Sequence, residues 1–281
     1  MMIDMKVENK RVIITGSANG IGSALAHAFK ANNAQSIMLV DLDEVNNNKL
    51  AKEIGGLAFT ANVGDESEII ELIEYAKETM GGIDIFCSNA GISGPGGLVN
   101  TSTDEWDNIW NVNLMSHVNA AKHAIPIMLE QGSGYFMNTA SAAGLLTQLG
   151  AAGYSVTKSA AVSFAEWLKI TYGERGIGVS CLCPQGVRTP MVEDAPEIVG
   201  SLVSIDGLLE PEEVASEVIR CIESGQFLIT PHPEVLDYLK IKSSDYDRWI
   251  AGMQSLQTQM IETFPDAKSM LRDLKYEKDL D

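Results

Sequence analysis

Short, continuous apolar runs alternate along this chain with segments whose apolar residues recur every three or four positions. Arg11 to Thr15 is the first run, and a glycine-rich turn follows it at once. Ile21, Leu25, Ala28 and Phe29 then share one helical face. Ser36 to Val40 reads as a second strand and Leu57 to Ala61 as a third. Asp65 and Glu66 open a helix on which Ile69, Leu72, Ile73, Ala76 and Met80 form a stripe, the early acids suiting a helix N-terminus. Ile83 to Cys87 predicts a fourth strand. Ser102 to Glu105 matches a capping box and predicts a long helix through Trp106, Ile109, Trp110 and Leu114. Tyr135 to Thr139, Val179 to Cys183 and Phe227 to Thr230 complete the strands, with a helix from about Tyr154 to Tyr172 between the first two.

Strands that are apolar along their whole length, separated by helices, predict an α/β fold: a seven-stranded parallel sheet, doubly wound, flanked by helices. In such sheets ligands bind at the carboxyl ends of the strands. No repeat or linker divides the chain. Residues 1–240 read as one domain, with a segment of about 189–209 folded over the substrate as a lid, and 241–281 as a C-terminal helical extension of it. Within that extension Trp249, Met253 and Leu256 share a helical face, and the end from Lys275 to Asp281 is charged. Two readings stay open for it: a surface helix with a frayed tail, or an arm packing on a neighbouring subunit.

Composition narrows the partners. Acids outnumber bases 38 to 20, giving a net charge of −18. Such a surface repels nucleic acid and anionic membranes. No apolar run reaches the ~20 residues of a membrane span, and Met1 to Lys10 lacks the apolar core of a signal peptide; a cytoplasmic location is expected. The four cysteines, Cys87, Cys181, Cys183 and Cys221, read as buried thiols, with Cys181 and Cys183 alternating on a strand and not expected to share a ligand. The four histidines, His27, His117, His123 and His232, fall in no metal-binding spacing, and no metal is assigned.

Chemistry is concentrated at the strand ends. In Thr15-Gly16-Ser17-Ala18-Asn19-Gly20-Ile21-Gly22 the glycines permit a tight turn and a close approach to a pyrophosphate, which the following helix N-terminus attracts. Asp41 ends the second strand, 19 residues after Gly22. A carboxylate there accepts from both adenosine-ribose hydroxyls and repels a 2′-phosphate. Ser17, Ala18 and Leu42 offer no cation to such a phosphate. NAD(H) is therefore expected over NADP(H).

Tyr154 and Lys158 stand four apart, on one helix face. A tyrosine of ordinary pKa, ~10, is a poor base at neutral pH, and a neighbouring ammonium is expected to lower it. Ser141, 13 residues before Tyr154, is placed to hydrogen-bond a carbonyl oxygen. Asn113 is placed to hold a water in a proton relay. The loop Pro184-Gln185-Gly186-Val187-Arg188-Thr189-Pro190 follows the sixth strand and is placed along a nicotinamide.

Together, Thr15-Gly16-x-x-x-Gly20-x-Gly22, Asn89-Ala90-Gly91, Asn113, Ser141, Tyr154-x-x-x-Lys158 and the Pro184–Thr189 loop make the chain resemble the classical branch of the short-chain dehydrogenase/reductase (SDR) family over about its first 230 residues. The resemblance implies a Rossmann-type domain interconverting a secondary alcohol and a ketone. Tyr154 would be the acid–base; Lys158 would tune it and bind the nicotinamide ribose. Ser141 would orient the substrate oxygen and Asn113 complete the relay. Asn89, Ala90 and Gly91 would line the adenosine side, Val187 meet the carboxamide and Thr189 the phosphates. It also implies a homodimer or homotetramer, with Trp106, Trp110, Phe164 and Trp167 on the helices concerned.

Several positions depart from the family pattern. Asn62, before Val63, stands where an aspartate usually meets the adenine. Ser88 and Ala140 replace a usual asparagine and serine. Gln185 replaces a glycine and is expected to reach the substrate, as are Ile92 and Met191. Ser93, Ala142, Leu146, Val192, Ile198 and Val199 are further candidates for an apolar pocket suited to an apolar or aromatic alcohol. Enoyl reduction on the same fold and a non-catalytic NAD-binding sensor are the competing functions.

Overall fold

The computed structural model describes residues 5 to 273. Strands β1 (Arg11–Thr15), β2 (Ser36–Asp41), β3 (Leu57–Thr60), β4 (Ile85–Ser88), β5 (Gly134–Thr139), β6 (Ile177–Leu182) and β7 (Leu228–Ile229) form one sheet. Its order is β3-β2-β1-β4-β5-β6-β7, with every pairing parallel. Every residue of β4, β5 and β6 is buried, as a sheet covered on both faces requires.

Helices α1 (Gly20–Ala31), α2 (Glu44–Ile54) and α10 (Pro211–Ser224) pack Leu25, Leu50 and Val218 on one face. Helices α3 (Glu66–Met80), α5 (Ser116–Gln131) and α7 (Ala152–Tyr172) pack Ile69, Ala121 and Ala165 on the other. Fully burying one such Leu, Ile or Val contributes about 1.5–3 kcal/mol. The strand order turns between β1 and β4, which opens a crevice at their carboxyl ends.

The helix predicted from Ser102 is real at its start. The Ser102 hydroxyl accepts from Glu105 N at 3.2 Å, and Ser102 N donates to the Glu105 carboxylate at 2.8 Å. It does not continue as one α-helix, however. Helix α4 (Thr103–Trp110) gives way to a π turn at Asn111–Met115 before α5 begins. The extra residue of a π turn re-aims side chains, and such turns gather at functional sites.

The cysteines are buried thiols as expected, but two of them stand closer together than the sequence suggested. Residues two apart on a strand point to the same face, and the Cys181 and Cys183 sulfurs lie 3.8 Å apart. All four cysteines are buried free thiols.

After β6, Val187 pairs with Leu209; Arg188 N donates to Leu209 O at 2.9 Å and Leu209 N to Gly186 O at 3.0 Å. The intervening excursion carries α8 (Pro190–Glu193) and α9 (Glu197–Val203). The short α6 (Ala142–Leu146) follows β5, and α11 (Glu234–Ser244), α12 (Tyr246–Thr263) and α13 (Lys268–Leu271) end the described chain. These last helices return over the sheet's carboxyl edge. Lys242 Nζ donates to Leu145 O at 2.6 Å, and the Asp273 carboxylate accepts from Leu98 N at 2.7 Å. The face of Trp249, Met253 and Leu256 turns onto this chain's own cleft, which neither reading of the extension had foreseen. Lys275 to Asp281 and Met1 to Asp4 lie outside the described residues. Among the described residues no helix is long and apolar enough to cross a membrane.

Candidate active site

A cleft of about 1180 Å³ runs along the carboxyl ends of the strands and beneath the excursion and α12. Gly16, Asn19, Gly20, Ile21 and Gly22 line one end. A Cβ at Gly22 would fall 1.9 Å from Gly16 O, so only glycine lets the turn close against α1. The Asn19 side chain caps nothing, and the first turn of α1 carries no acid. Its free N–H groups and positive dipole end therefore face the cleft, as an anion requires.

Asp41 and Leu42 stand beside this turn, with Asn62 and Val63 beyond. The Asp41 carboxylate accepts from Ala18 N at 2.9 Å and from Asp43 N at 3.0 Å. An ionised carboxylate has about four acceptor positions, so acceptor capacity remains. The Asn62 side-chain oxygen accepts from Gly64 N at 3.0 Å. Ser17 is different from its neighbours. It is fully buried and its hydroxyl bonds the Asn47 side-chain oxygen at 2.7 Å, tying the turn to α2 instead of facing the cleft.

Hydrogen bonds lock the ends of β1, β4 and β5 together. The Thr15 hydroxyl accepts from Asn89 N at 2.9 Å and Ala90 N at 3.1 Å, and the Thr139 hydroxyl donates to the Asn89 side-chain oxygen at 3.0 Å. Gly91 sits where a Cβ would lie 3.1 Å from Lys158 Nζ and 3.3 Å from Asn113 Oδ1, so the backbone is threaded between two candidate catalytic side chains.

Asn113 is fully buried in the π turn and does not line the cleft. Its Oδ1 accepts from Ile92 N at 2.8 Å, and its Nδ2 donates to Ile92 O at 2.9 Å and the Thr157 hydroxyl at 3.3 Å. Those bonds fix the side chain of the residue expected to take part in a proton relay. Here it fixes the Gly91–Ile92 segment.

Ser141, Tyr154 and Lys158 line the middle of the cleft. The Ser141 oxygen accepts from Ala143 N at 3.1 Å, which leaves its hydrogen to donate towards the Tyr154 oxygen or a substrate oxygen. Lys158 is buried, and its ammonium donates to Thr139 O at 3.0 Å while lying 5.7 Å from the centre of the Tyr154 ring. Burial pushes the Lys158 pKa down to about 8. Burial pushes the Tyr154 phenol above its ordinary value, and the Ser141 hydroxyl pulls it back part of the way. Burial is thus the larger influence on the phenol, and no lowering by Lys158 accompanies it. Behind them, fully buried His117 is pushed down to about 3, first by burial and then by the Lys158 charge, so it is uncharged.

Ile92, Ser93, Ala142, Leu146, Met191, Val192 and Val199 line the cleft further on with Pro184, Gln185 and Val187, while Thr189 lies against Gly20 of the glycine turn. Gly186 and Ile198 do not line the cleft. A Cβ at Gly186 would lie 2.4 Å from Val203 O, which places that glycine under the excursion. Ile198 is buried, 3% exposed, and anchors α9. The Gln185 amide nitrogen donates to Asp206 at 2.9 Å, and the Tyr238 hydroxyl donates to the other Asp206 oxygen at 2.9 Å. Asp206, Tyr238 and Arg248 carry no motif, and only the stripe at Trp249, Met253 and Leu256 signalled that late residues reach the cleft.

Comparison with known proteins agrees with this architecture. The family model for short chain dehydrogenase matches residues 10–198. A 3-oxoacyl-[acyl-carrier-protein] reductase of Thermotoga maritima is 32% identical over 225 residues, covering 76% of this chain and 91% of that protein. Meso-2,3-butanediol dehydrogenase of Serratia marcescens is 32% identical over 219 residues, covering 75% and 86%. A short-chain dehydrogenase/reductase of Burkholderia phymatum, solved with NAD, superposes with a TM-score of 0.78 at 26% identity, covering 86% of this chain and 96% of that one. The chain thus belongs to the short-chain dehydrogenase/reductase family, oxidoreductases that bind a nicotinamide cofactor and act on small molecules.

Proposed function

We propose that the protein is an NAD(H)-dependent dehydrogenase/reductase that interconverts an apolar or aromatic secondary alcohol and its ketone. One observation carries the reading: Ser141, Tyr154 and Lys158 open onto the same cleft as the uncapped α1 N-terminus and Asp41. The residues fit a dinucleotide. Gly16 to Gly22 without Ser17 would hold the pyrophosphate, Asp41 the ribose, Asn62 and Val63 the adenine side, and Val187 and Thr189 the nicotinamide half. The nicotinamide supplies the hydride acceptor or donor when bound.

Ser141 donates its hydrogen to the substrate oxygen, holding it beside the Tyr154 hydroxyl. Tyr154 gives a proton to that oxygen in reduction and takes it back in oxidation. Lys158 lies against Gly91 and Thr139, where its ammonium would hold the nicotinamide ribose. The preference for NAD(H) is supported by the cleft's basic residues, Lys158 and Arg248, neither of which neighbours Asp41 in sequence or turn. An oligomer is supported by α7, where Val156, Trp167 and Ile170 are exposed.

A panel of secondary alcohols with NAD or NADP, followed by reduced-cofactor absorbance, tests the reading. Oxidation with a clearly lower KM for NAD is expected. A preference for NADP overturns the cofactor assignment, and inactivity towards every alcohol and ketone overturns the reaction.

A further inference from the structure

Helix α12 carries Arg248, Trp249, Gly252, Met253 and Leu256 on the face that closes the cleft. Their spacing puts all five on adjoining turns of one side. The helix lies outside residues 10–198, which the family model matches, and none of its residues is fully buried. Its apolar face is therefore not consumed by core packing and looks into the cleft. Leu149, Leu202, Val203 and Ile205 line the same chamber.

Two residues of this face are unexplained by folding. Glycine inside a helix costs about 0.5–1 kcal/mol relative to alanine, yet Gly252 interrupts α12 midway. A Cβ there would meet nothing within 4 Å. No neighbour requires the glycine, and it leaves a notch between Trp249 and Leu256. Arg248 is the second oddity. Lys158 and Arg248 are the basic residues of the cleft, and Lys158 is committed to Thr139. The Arg248 side chain is exposed where α12 meets the cleft and makes no ion pair with a described residue, in a chain of net charge −18. A guanidinium fork matches a carboxylate, and a single cation balances a monoanion.

We propose that α12 selects the substrate: a bulky apolar body seats against Trp249, the Gly252 notch and Met253, and a terminal carboxylate pairs with Arg248. The proposal rests on the alcohol–ketone reading of the site and names the substrate class as hydroxy or oxo acids with a large apolar body.

The test uses a long-chain secondary hydroxy acid, its methyl ester and isopropanol. Turnover is followed with NAD. Binding is followed separately by quenching of tryptophan fluorescence, assigned to Trp249 with Trp249→Phe. The wild-type protein is expected to bind the acid roughly threefold more tightly than the ester, as a guanidinium–carboxylate pair at the exposed Arg248 gives. Arg248→Gln is expected to abolish that difference. Gly252→Leu, which has open space to occupy, is expected to lower the ratio of long-chain to isopropanol turnover at least ~tenfold. Equal binding of acid and ester overturns the carboxylate assignment. An unchanged long-chain to isopropanol ratio in Gly252→Leu overturns the notch. If the acid binds through Arg248 but no alcohol is oxidised, α12 keeps its role and the dehydrogenase reading fails.

Discussion

A Cβ added at Gly22 would lie 1.9 Å from a backbone oxygen, whereas one added at Gly252 meets no atom within 4 Å. Both glycines sit in helices and both line one cleft. The cofactor end is made of strand termini whose backbone is tied by Thr15, Asn89, Thr139 and Asn113. The substrate end is made of helices from late in the chain, held by a few side-chain bonds such as Gln185 to Asp206 and Lys242 to Leu145. The first end has no freedom to change and the second has room to. Binding of a common cofactor and choice of an individual substrate are thereby separated along the cleft.

The sharpest test removes chemistry and leaves both ends standing. Tyr154→Phe deletes one hydroxyl from a half-buried ring. It is expected to lower kcat by ~10²–10⁴-fold, the worth of a general acid–base, while the cofactor dissociation constant stays within about twofold. A rate within tenfold of wild type would mean that another group moves the proton.

Gly22→Ala attacks the rigid end. The added methyl group must push Gly16 O out of place, so the cofactor dissociation constant is expected to rise by roughly 10²-fold, which is ~2.7 kcal/mol. Fluorescence titration with NADH measures it. Unchanged affinity would show that this end yields as readily as the other.

How much of each end was legible follows from the same contrast. A turn that admits only glycine leaves its mark in consecutive residues, and so the Gly16–Gly22 turn, the Ser102 capping box and the Tyr154–Lys158 helix face could be read directly. The exceptions are instructive. Ser17 belongs to the motif in sequence, yet its side chain turns to Asn47. The π turn at Asn111–Met115 has no period of its own, so the pattern from Ser102 read as one helix. It was tertiary contact with Ile92 and Thr157 that set Asn113. At the substrate end Tyr238 and Arg248 meet the cleft from separate segments, Asp206 joins Tyr238 to Gln185, and nothing local marks them.

His117 tests whether the rigid end also resists acid. It is fully buried, with its pKa pushed from an ordinary 6.5 to about 3. Between those values the unfolded chain binds a proton that the folded chain does not, so stability rises with pH there and falls on acidification. From neutral pH to pH 5 this one group is expected to contribute a loss of about 2 kcal/mol. His117→Gln removes the titration, so the gap between variant and wild type in urea unfolding should shift by that amount in the variant's favour. A gap independent of pH would show that water or a counter-charge reaches His117 in the fold.

The smallest effect comes from Gly252→Ala, and its sign is opposite to that of Gly22→Ala. The position has helical neighbours on both sides and no positive φ. A methyl group there restricts the unfolded chain and strains nothing in the folded one, so stability should rise by about 0.4–1 kcal/mol. Thermal unfolding reads this as a rise of a few degrees at most. Cofactor affinity should not move, since α12 meets the cleft at its far end from Gly16 to Gly22. A glycine that lowers stability and serves no packing is one retained for what the cleft must admit; a destabilised Gly252→Ala protein would instead place the glycine among the requirements of the fold, and the two ends of the cleft would then be alike.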